Sequence, residues 1–186
     1  SATRVIPAAS MGAQCGFAVC AQQRGGKVFY RNASTDDFSV LFDLERKSYP
    51  SDEAASMNSM MMRLKQANEF FMVAVLEGGV IGFVNGTLSA DEKLRHESMT
   101  SHVPSGKTLC IHSVVIAEEH RGRGHGTLMM REYIRRIKAM EKVDRIVLLA
   151  KQPLVPFYGG VGFAFDGESD VVHGKDVWCE CSMQLN

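Results

Sequence analysis

Arg121-Gly122-Arg123-Gly124-His125-Gly126 stands between two stretches of different periodicity, and that change decides the fold. Leu109-Cys-Ile-His-Ser-Val-Val-Ile116, before it, is apolar and β-branched and reads as a strand buried on at least one face. Thr127 to Met140, after it, carries Leu128, Met130, Ile134, Ile137 and Met140 at close to helical spacing. A strand, a glycine-rich turn and a helix in that order make an anion site. The turn's N–H groups and the unpaired donors of the first helical turn converge there, aided by the helix dipole. The segment is neither the three-glycine dinucleotide fingerprint nor a P-loop, which would end in Gly-Lys-Ser/Thr. A glycine-rich turn that merely starts a helix is the alternative reading of the hexapeptide alone.

The 186 residues suit one domain with a substantial core, and 45% hydrophobic with 23% charged residues is a globular composition. Lys+Arg and Asp+Glu both number 21, so overall charge gives no case for nucleic acid or an anionic membrane as partner. Basic residues gather locally at Arg121, Arg123, Arg131, Arg135, Arg136 and Lys138. Those near the glycines suit a phosphorylated ligand, and the last three suit a solvated helix face. Five cysteines form no CxxC pair, which argues for a reducing compartment, expected to be the cytoplasm. No run reaches the length of a membrane span. Residues 1–26 are expected to form a loosely ordered tail, too weakly patterned for a secretory signal.

Residues 27–186 read as a single mixed α/β domain, an α+β mixed sheet flanked by helices. Lys27 to Asn32 is a first strand. Ser34-Thr-Asp-Asp37 starts a helix whose apolar side is Phe38, Leu41, Phe42 and Leu44. Tyr49 to Glu53 breaks it and is expected to cap a second helix carrying Met57, Met60, Met61 and Leu64. Phe70 to Leu76 and Val80 to Leu88 flank Glu77-Gly-Gly79 as a hairpin. Asp91 to Lys107 is a long polar connection. Arg145 to Ala150 is a strand, Pro153 to Gly162 a short helix, and Trp178 to Leu185 a closing strand.

Arg121, Gly124 and Gly126 satisfy Arg/Gln-x-x-Gly-x-Gly/Ala, the pyrophosphate motif of the GNAT acetyltransferases. Leu154-Val-Pro-Phe-Tyr158 with Gly162-Phe163 resembles a segment of the arylalkylamine N-acetyltransferases, a branch of that superfamily. Ser48-Tyr-Pro-Ser-Asp-Glu-Ala-Ala-Ser56 resembles that branch's substrate-side loop. Glu97-Ser-Met, the His112 strand and the glycine loop fall in matching order, so the likeness runs from about Asp37 to the C-terminus. The resemblance implies the GNAT acyl-CoA N-acyltransferase fold, acetyl-CoA as cofactor and a small-molecule amine as substrate. Coenzyme A would be held by Val114, Val115, Ile116, Arg121, Gly122, Arg123, Gly124, His125 and Gly126.

An alkylammonium ionises roughly three units above neutrality by analogy with lysine, so a base beside it is useful. His112 is the candidate, directly or through water, because it titrates near neutrality and precedes the cofactor loop. The family pairs two histidines on this strand, whereas here Cys110 holds the first position. Tyr158 matches the family's general acid, placed to protonate the departing thiolate. A backbone N–H of the Val114–Val115 strand, freed by a bulge, would serve the acetyl oxygen. Cys110, a buried strand cysteine, is expected to be inert, which favours direct transfer. Tyr49 and Pro50, with aromatic or methionine residues of the first two helices, would wall an apolar substrate slot. The histidines lack ligand spacing, so no metal is expected. A polyamine or protein-amine acetyltransferase, and a non-catalytic acyl-CoA-binding domain, stand as alternatives. The oligomeric state is left open.

Overall fold

The computed structural model describes residues 21–23, 26–171 and 176–185. Its strands are β1 (Ala21–Gln23), β2 (Gly26–Asn32), β3 (Phe71–Leu76), β4 (Gly79–Ser89), β5 (Thr108–Ile116), β6 (Arg145–Lys151), β7 (Ala164–Glu168) and β8 (Trp178–Gln184). The helices are α1 (Phe38–Ser48), α2 (Met57–Gln66), α3 (His125–Ala139) and α4 (Val155–Gly159). One sheet of eight strands has the spatial order β1-β2-β3-β4-β5-β6-β8-β7. Every neighbouring pair is antiparallel except β5–β6, the pair bridged by α3, as a parallel connection requires. The expected mixed sheet flanked by helices is what forms.

Both faces of the sheet are covered, so successive residues of β3 are all buried from Phe71 to Ala74. Met72 and Ala74 join Met129, Met130, Tyr133 and Ile137 of α3 on one face. Phe71 and Val73 join Leu41 of α1 with Met60 and Leu64 of α2 on the other. Each of the leucine, isoleucine, valine, phenylalanine and methionine side chains contributes up to about 1.5–3 kcal/mol by leaving water.

Local chemistry sets the element ends. Asp37 accepts from the Ser34 N–H at 2.7 Å and from Arg31 at 2.6 and 2.8 Å, fixing the entrance to α1. The Arg31 guanidinium pulls the Asp37 carboxyl down to about 2. Glu77 and Gly78, at φ 51° and 84°, make the tight turn of the β3–β4 hairpin.

Two expectations are corrected and one strand is added. α2 is capped by Ser56, whose Oγ accepts from the Ser59 N–H at 3.1 Å, not by Tyr49–Glu53. That earlier segment is a separate turn in which the Pro50 carbonyl accepts from Glu53 and Ala54. β7 has no counterpart in the sequence, because its exposed residues and the bulge at Asp166 erase any apolar alternation. Ala21–Gln23, assigned to the tail, pairs as β1 with β2, which itself begins at Gly26. The rest of that tail lies outside the described residues.

The connection from β4 to β5 is fastened down. A 3-10 turn at Glu97–Met99 presents the Ser98 carbonyl to Thr87 Oγ1 (2.8 Å) and the Met99 carbonyl to Arg63 (2.9 Å). The Leu88 N–H donates to His102 Nδ1 at 3.1 Å.

Candidate active site

The site starts from two irregularities in β5. Asn85 of β4 pairs with Ser113 and Gly86 with Ile111, so His112 is the extra residue of a β-bulge. A bulge bends the strand and re-aims its side chain. In addition, β5 pairs with β6 only from Thr108–Arg145 to Ile111–Leu148, although both strands run on. Past that point they part, and alternate main-chain groups of β5 face the opening.

Val114 shows this directly: its N–H donates to the Tyr49 hydroxyl at 3.3 Å, and its carbonyl accepts from the same hydroxyl at 3.4 Å. The Val115 carbonyl points the other way, towards β4, close to where a Cβ on Gly82 would sit. The Ile116 carbonyl accepts from Arg121 Nε at 2.8 Å, while Arg121 Nη2 donates to Ser48 Oγ at 3.1 Å. Arg121 therefore ties the glycine loop to the end of β5 and to α1.

In that loop Gly122 and Gly124 have φ of 71° and 80°, values that an L side chain adopts only with strain. α3 starts directly afterwards with no side chain capping it, and Arg121–Gly124 are exposed. Its first-turn N–H groups are thus open to an anion, the fit a pyrophosphate needs. His120 and His125 stand edge to face, 6.2 Å between ring centres, and burial holds His125 below its ordinary range.

A cavity of about 180 Å³ occupies the parting of the strands. Its walls include Glu45, Tyr49 and Glu53, Ser59 and Arg63 of α2, His112 and Val114 of β5, Tyr158 of α4, and Trp178. His112 Nε2 is 2.8 Å from Thr87 Oγ1, and its Nδ1 has no hydrogen-bond partner. Burial, reinforced by the nearby Arg63 charge, holds His112 well below its ordinary 6.5, so the ring is neutral at pH 7. The Tyr158 ring lies edge-on to Phe157 and Phe163, with centroids 5.0 and 5.9 Å away. Burial raises its phenol far above the ordinary 10, with Tyr49 adding to the effect, so it stays protonated. Cys110 is wholly buried and its thiol is pushed up to about 12 by burial, which leaves it inert.

Several wall residues escaped the sequence reading. Glu45 Oε1 accepts from the Ala55 N–H (2.9 Å) and Ser113 Oγ (3.1 Å). Arg63, 4% exposed, donates to Asn85 Oδ1 at 3.3 Å as well as to Met99, and burial brings its guanidinium down to about 10. Glu53 Oε1 takes Lys151 Nζ at 2.8 Å. A signal did exist: Glu45 lies four residues after Leu41, and Arg63 three after Met60, so each charge sits on an apolar stripe.

Of the two residues expected at the substrate, Tyr49 lines the cavity, whereas Pro50 is exposed and outside it. The helices supply Glu45, Ser59 and Arg63 rather than their methionines, since Met60 packs against the sheet and Met57 faces solvent. Among the described residues, no three His, Cys, Asp or Glu side chains cluster as a metal site. No helix among them is long and apolar enough to cross a membrane.

The acetyltransferase (GNAT) family model matches residues 35–163. Serotonin N-acetyltransferase of Mesocricetus auratus is 28% identical over 162 residues, covering 84% of this chain and 78% of that protein. The loading GNATL domain of CurA from Lyngbya majuscula superposes with a TM-score of 0.76 at 14% identity, over 85% of this chain and 98% of that one. The yncA acetyltransferase from Salmonella typhimurium, solved with acetyl-CoA, gives 0.65 at 13% identity over 86% and 94%. With the parted strands and uncapped helix of the fold already in place, the family match makes this chain a member of the GNAT acetyltransferases, enzymes that use acetyl-CoA.

Proposed function

We propose that the enzyme acetylates a primary arylalkylamine, with His112 as general base and Tyr158 as general acid. One observation carries this reading: His112 from β5 and Tyr158 from α4 face the same cavity, with the main chain of Val114 beside them. Acetyl-CoA, when bound, supplies an activated acetyl thioester. Val114 and Ile116 of β5, with the loop from Arg121 to Gly126 and the first turn of α3, would hold it. The Val114 N–H, which donates to the Tyr49 hydroxyl at 3.3 Å, would serve an acyl oxygen that takes that hydroxyl's place, because Val115 turns its carbonyl into the β4 ladder.

His112 is neutral at pH 7, and its Nδ1, buried and without a hydrogen-bond partner, would take the proton the amine must lose once the amine or a water reaches it. Tyr158 keeps its proton at any physiological pH and can give it to the leaving sulfur. The inert Cys110 thiol supports direct transfer.

The cavity's charge balance favours an aryl monoamine over a polyamine. The Glu45 carboxylate is felt by Arg63, and Glu53 is paired with Lys151. About 180 Å³ is comparable to an apolar cavity of roughly 150 Å³ that takes up benzene. The serotonin N-acetyltransferase relatives point the same way. Free thiols at Cys110, Cys179 and Cys181 suit a reducing compartment such as the cytoplasm.

The test is thiol release from acetyl-CoA with tryptamine, serotonin and phenylethylamine beside spermidine and a peptide mixture. Turnover on the arylalkylamines is expected. Turnover confined to spermidine or peptide would overturn the substrate, and CoA binding without any turnover would overturn the catalytic roles.

A further inference from the structure

A histidine can be a base only at the nitrogen that lacks a proton, so its tautomer matters as much as its position. In the related family a second histidine stands two residues before the base, and here that place is taken by Cys110. The cysteine is buried against Leu94 and Val147 and makes no hydrogen bond to the ring. What does meet the ring is Thr87, a fully buried threonine near the end of β4.

The direction of the bonds follows from counting protons. Thr87 Oγ1 has one hydrogen and two close partners, the Ser98 carbonyl and His112 Nε2, each at 2.8 Å. A carbonyl can only accept, so the hydroxyl proton goes to Ser98. The hydroxyl oxygen must then accept from Nε2–H. Nδ1 is left as the basic nitrogen, and it is the ring atom with no partner. The Ser98 carbonyl is itself held still: Ser98 is buried, its Oγ donates to the Arg95 carbonyl at 2.7 Å, and Arg63 grips the Met99 carbonyl next along the turn.

We propose that Thr87 is a positioning residue that, backed by the Ser98 carbonyl, locks His112 in the Nε2–H tautomer and leaves Nδ1 to take the substrate's proton. This rests on His112 being the base. Thr87 does here, with a neutral hydroxyl, what an acceptor behind a catalytic histidine does elsewhere: it fixes ring orientation and tautomer. Glu45, Tyr49 and Arg63 from the α1–α2 side, His96 from the β4–β5 connection and Tyr158 from α4 share the cavity with the ring. Burial and the Arg63 charge lower its titration, against a smaller opposing effect of the Ser98 main chain, whereas Thr87 sets which nitrogen titrates.

Two measurements on the whole protein test this. ¹⁵N-histidine NMR of the wild type should show His112 with a protonated Nε2 and a bare Nδ1 at pH 7.5. Thr87→Val, which keeps the shape but loses the hydroxyl, should lower kcat/KM by about 10- to 100-fold and change the tautomer signal. Thr87→Ser should stay within about threefold of the wild type with the tautomer unchanged, since it keeps the hydroxyl. A wild-type proton on Nδ1, or full activity in Thr87→Val with an unaltered pH profile, overturns the proposal. If the valine variant does not fold, the wild-type spectrum and the serine variant still decide it. The underlying reading fails separately: a His112→Gln enzyme with wild-type kcat/KM would remove His112 as base whatever its tautomer.

Discussion

Replacing Arg63 with methionine should damage stability and move the pH dependence of catalysis at once. Arg63 is 4% exposed and its Nη2 donates to the Met99 carbonyl at 2.9 Å. Burial lowers its pKa to about 10, so it remains a cation at pH 7. Methionine matches the length of the stem but removes a charged donor, a loss of about 1.5–3 kcal/mol. It also removes the positive charge facing Glu45, whose carboxylate is 2% exposed as a residue. At about 2–4 °C per kcal/mol for a chain of this size, the melting temperature should fall by roughly 3–12 °C. Catalysis supplies the second readout. Arg63 disfavours the imidazolium form of His112, so the wild-type acid limb of kcat/KM should lie below pH 6.5. Without that cation the limb should move up towards 6.5, because burial alone then holds it down. Arg63→Lys keeps the charge and should leave the limb near its wild-type position. Differential scanning fluorimetry and a kcat/KM–pH profile with saturating acetyl-CoA measure both effects. A methionine variant melting within about 2 °C of wild type, with its acid limb unmoved, would refute the reasoning.

Tyr158→Phe should lower kcat by about 10²-fold or more while acetyl-CoA affinity changes less than about twofold. Since burial raises this phenol well above 10, the wild-type rate should show no basic limb from Tyr158 below that pH. Gly124→Ala places a side chain at φ 80°, a strain of about 1–2 kcal/mol, and should weaken acetyl-CoA binding about tenfold by calorimetry. An unchanged Kd would separate the loop from the cofactor. Stability to urea should decline as pH falls below 6.5, by up to about 1.4 kcal/mol per pH unit for His112, which stays neutral folded but charges when unfolded. His112→Asn should flatten that slope, and equal slopes in both proteins would contradict the assignment.

How much of this was legible depended on whether a residue's role lay in its own neighbourhood. The strand–glycine–helix order around Arg121 to Gly126 is local and gave β5 and α3, just as Glu77-Gly-Gly79 between two apolar runs gave the β3–β4 hairpin. Ser34–Asp37 is equally local, because its capping bonds span three residues. Tyr158 and His112 were visible only through their motifs. Arg63 and Glu45 looked like ordinary helix charges, since their burial depends on β4, β5 and the turn at Met99, distant in sequence. Thr87 shows the limit most clearly. A threonine suits any strand, and its role emerges only when a bulge turns His112 onto it. Pro50 misled for the converse reason: its neighbour Tyr49 reaches the cavity, but the chain turns and carries the proline outward.

The short parallel register between β5 and β6 also has a consequence for dissection of the molecule. Four residue pairs, Thr108–Arg145 through Ile111–Leu148, join the two parts of the sheet. Everything on one side of that seam precedes Met140 in the chain, and everything on the other follows it. The turn at Glu141, with φ 54°, is therefore a natural cut point for a split enzyme. The N-terminal fragment would carry His112 and the glycine loop, and the C-terminal fragment Tyr158. Neither piece holds both side chains, so acetylation would report that the fragments have come together.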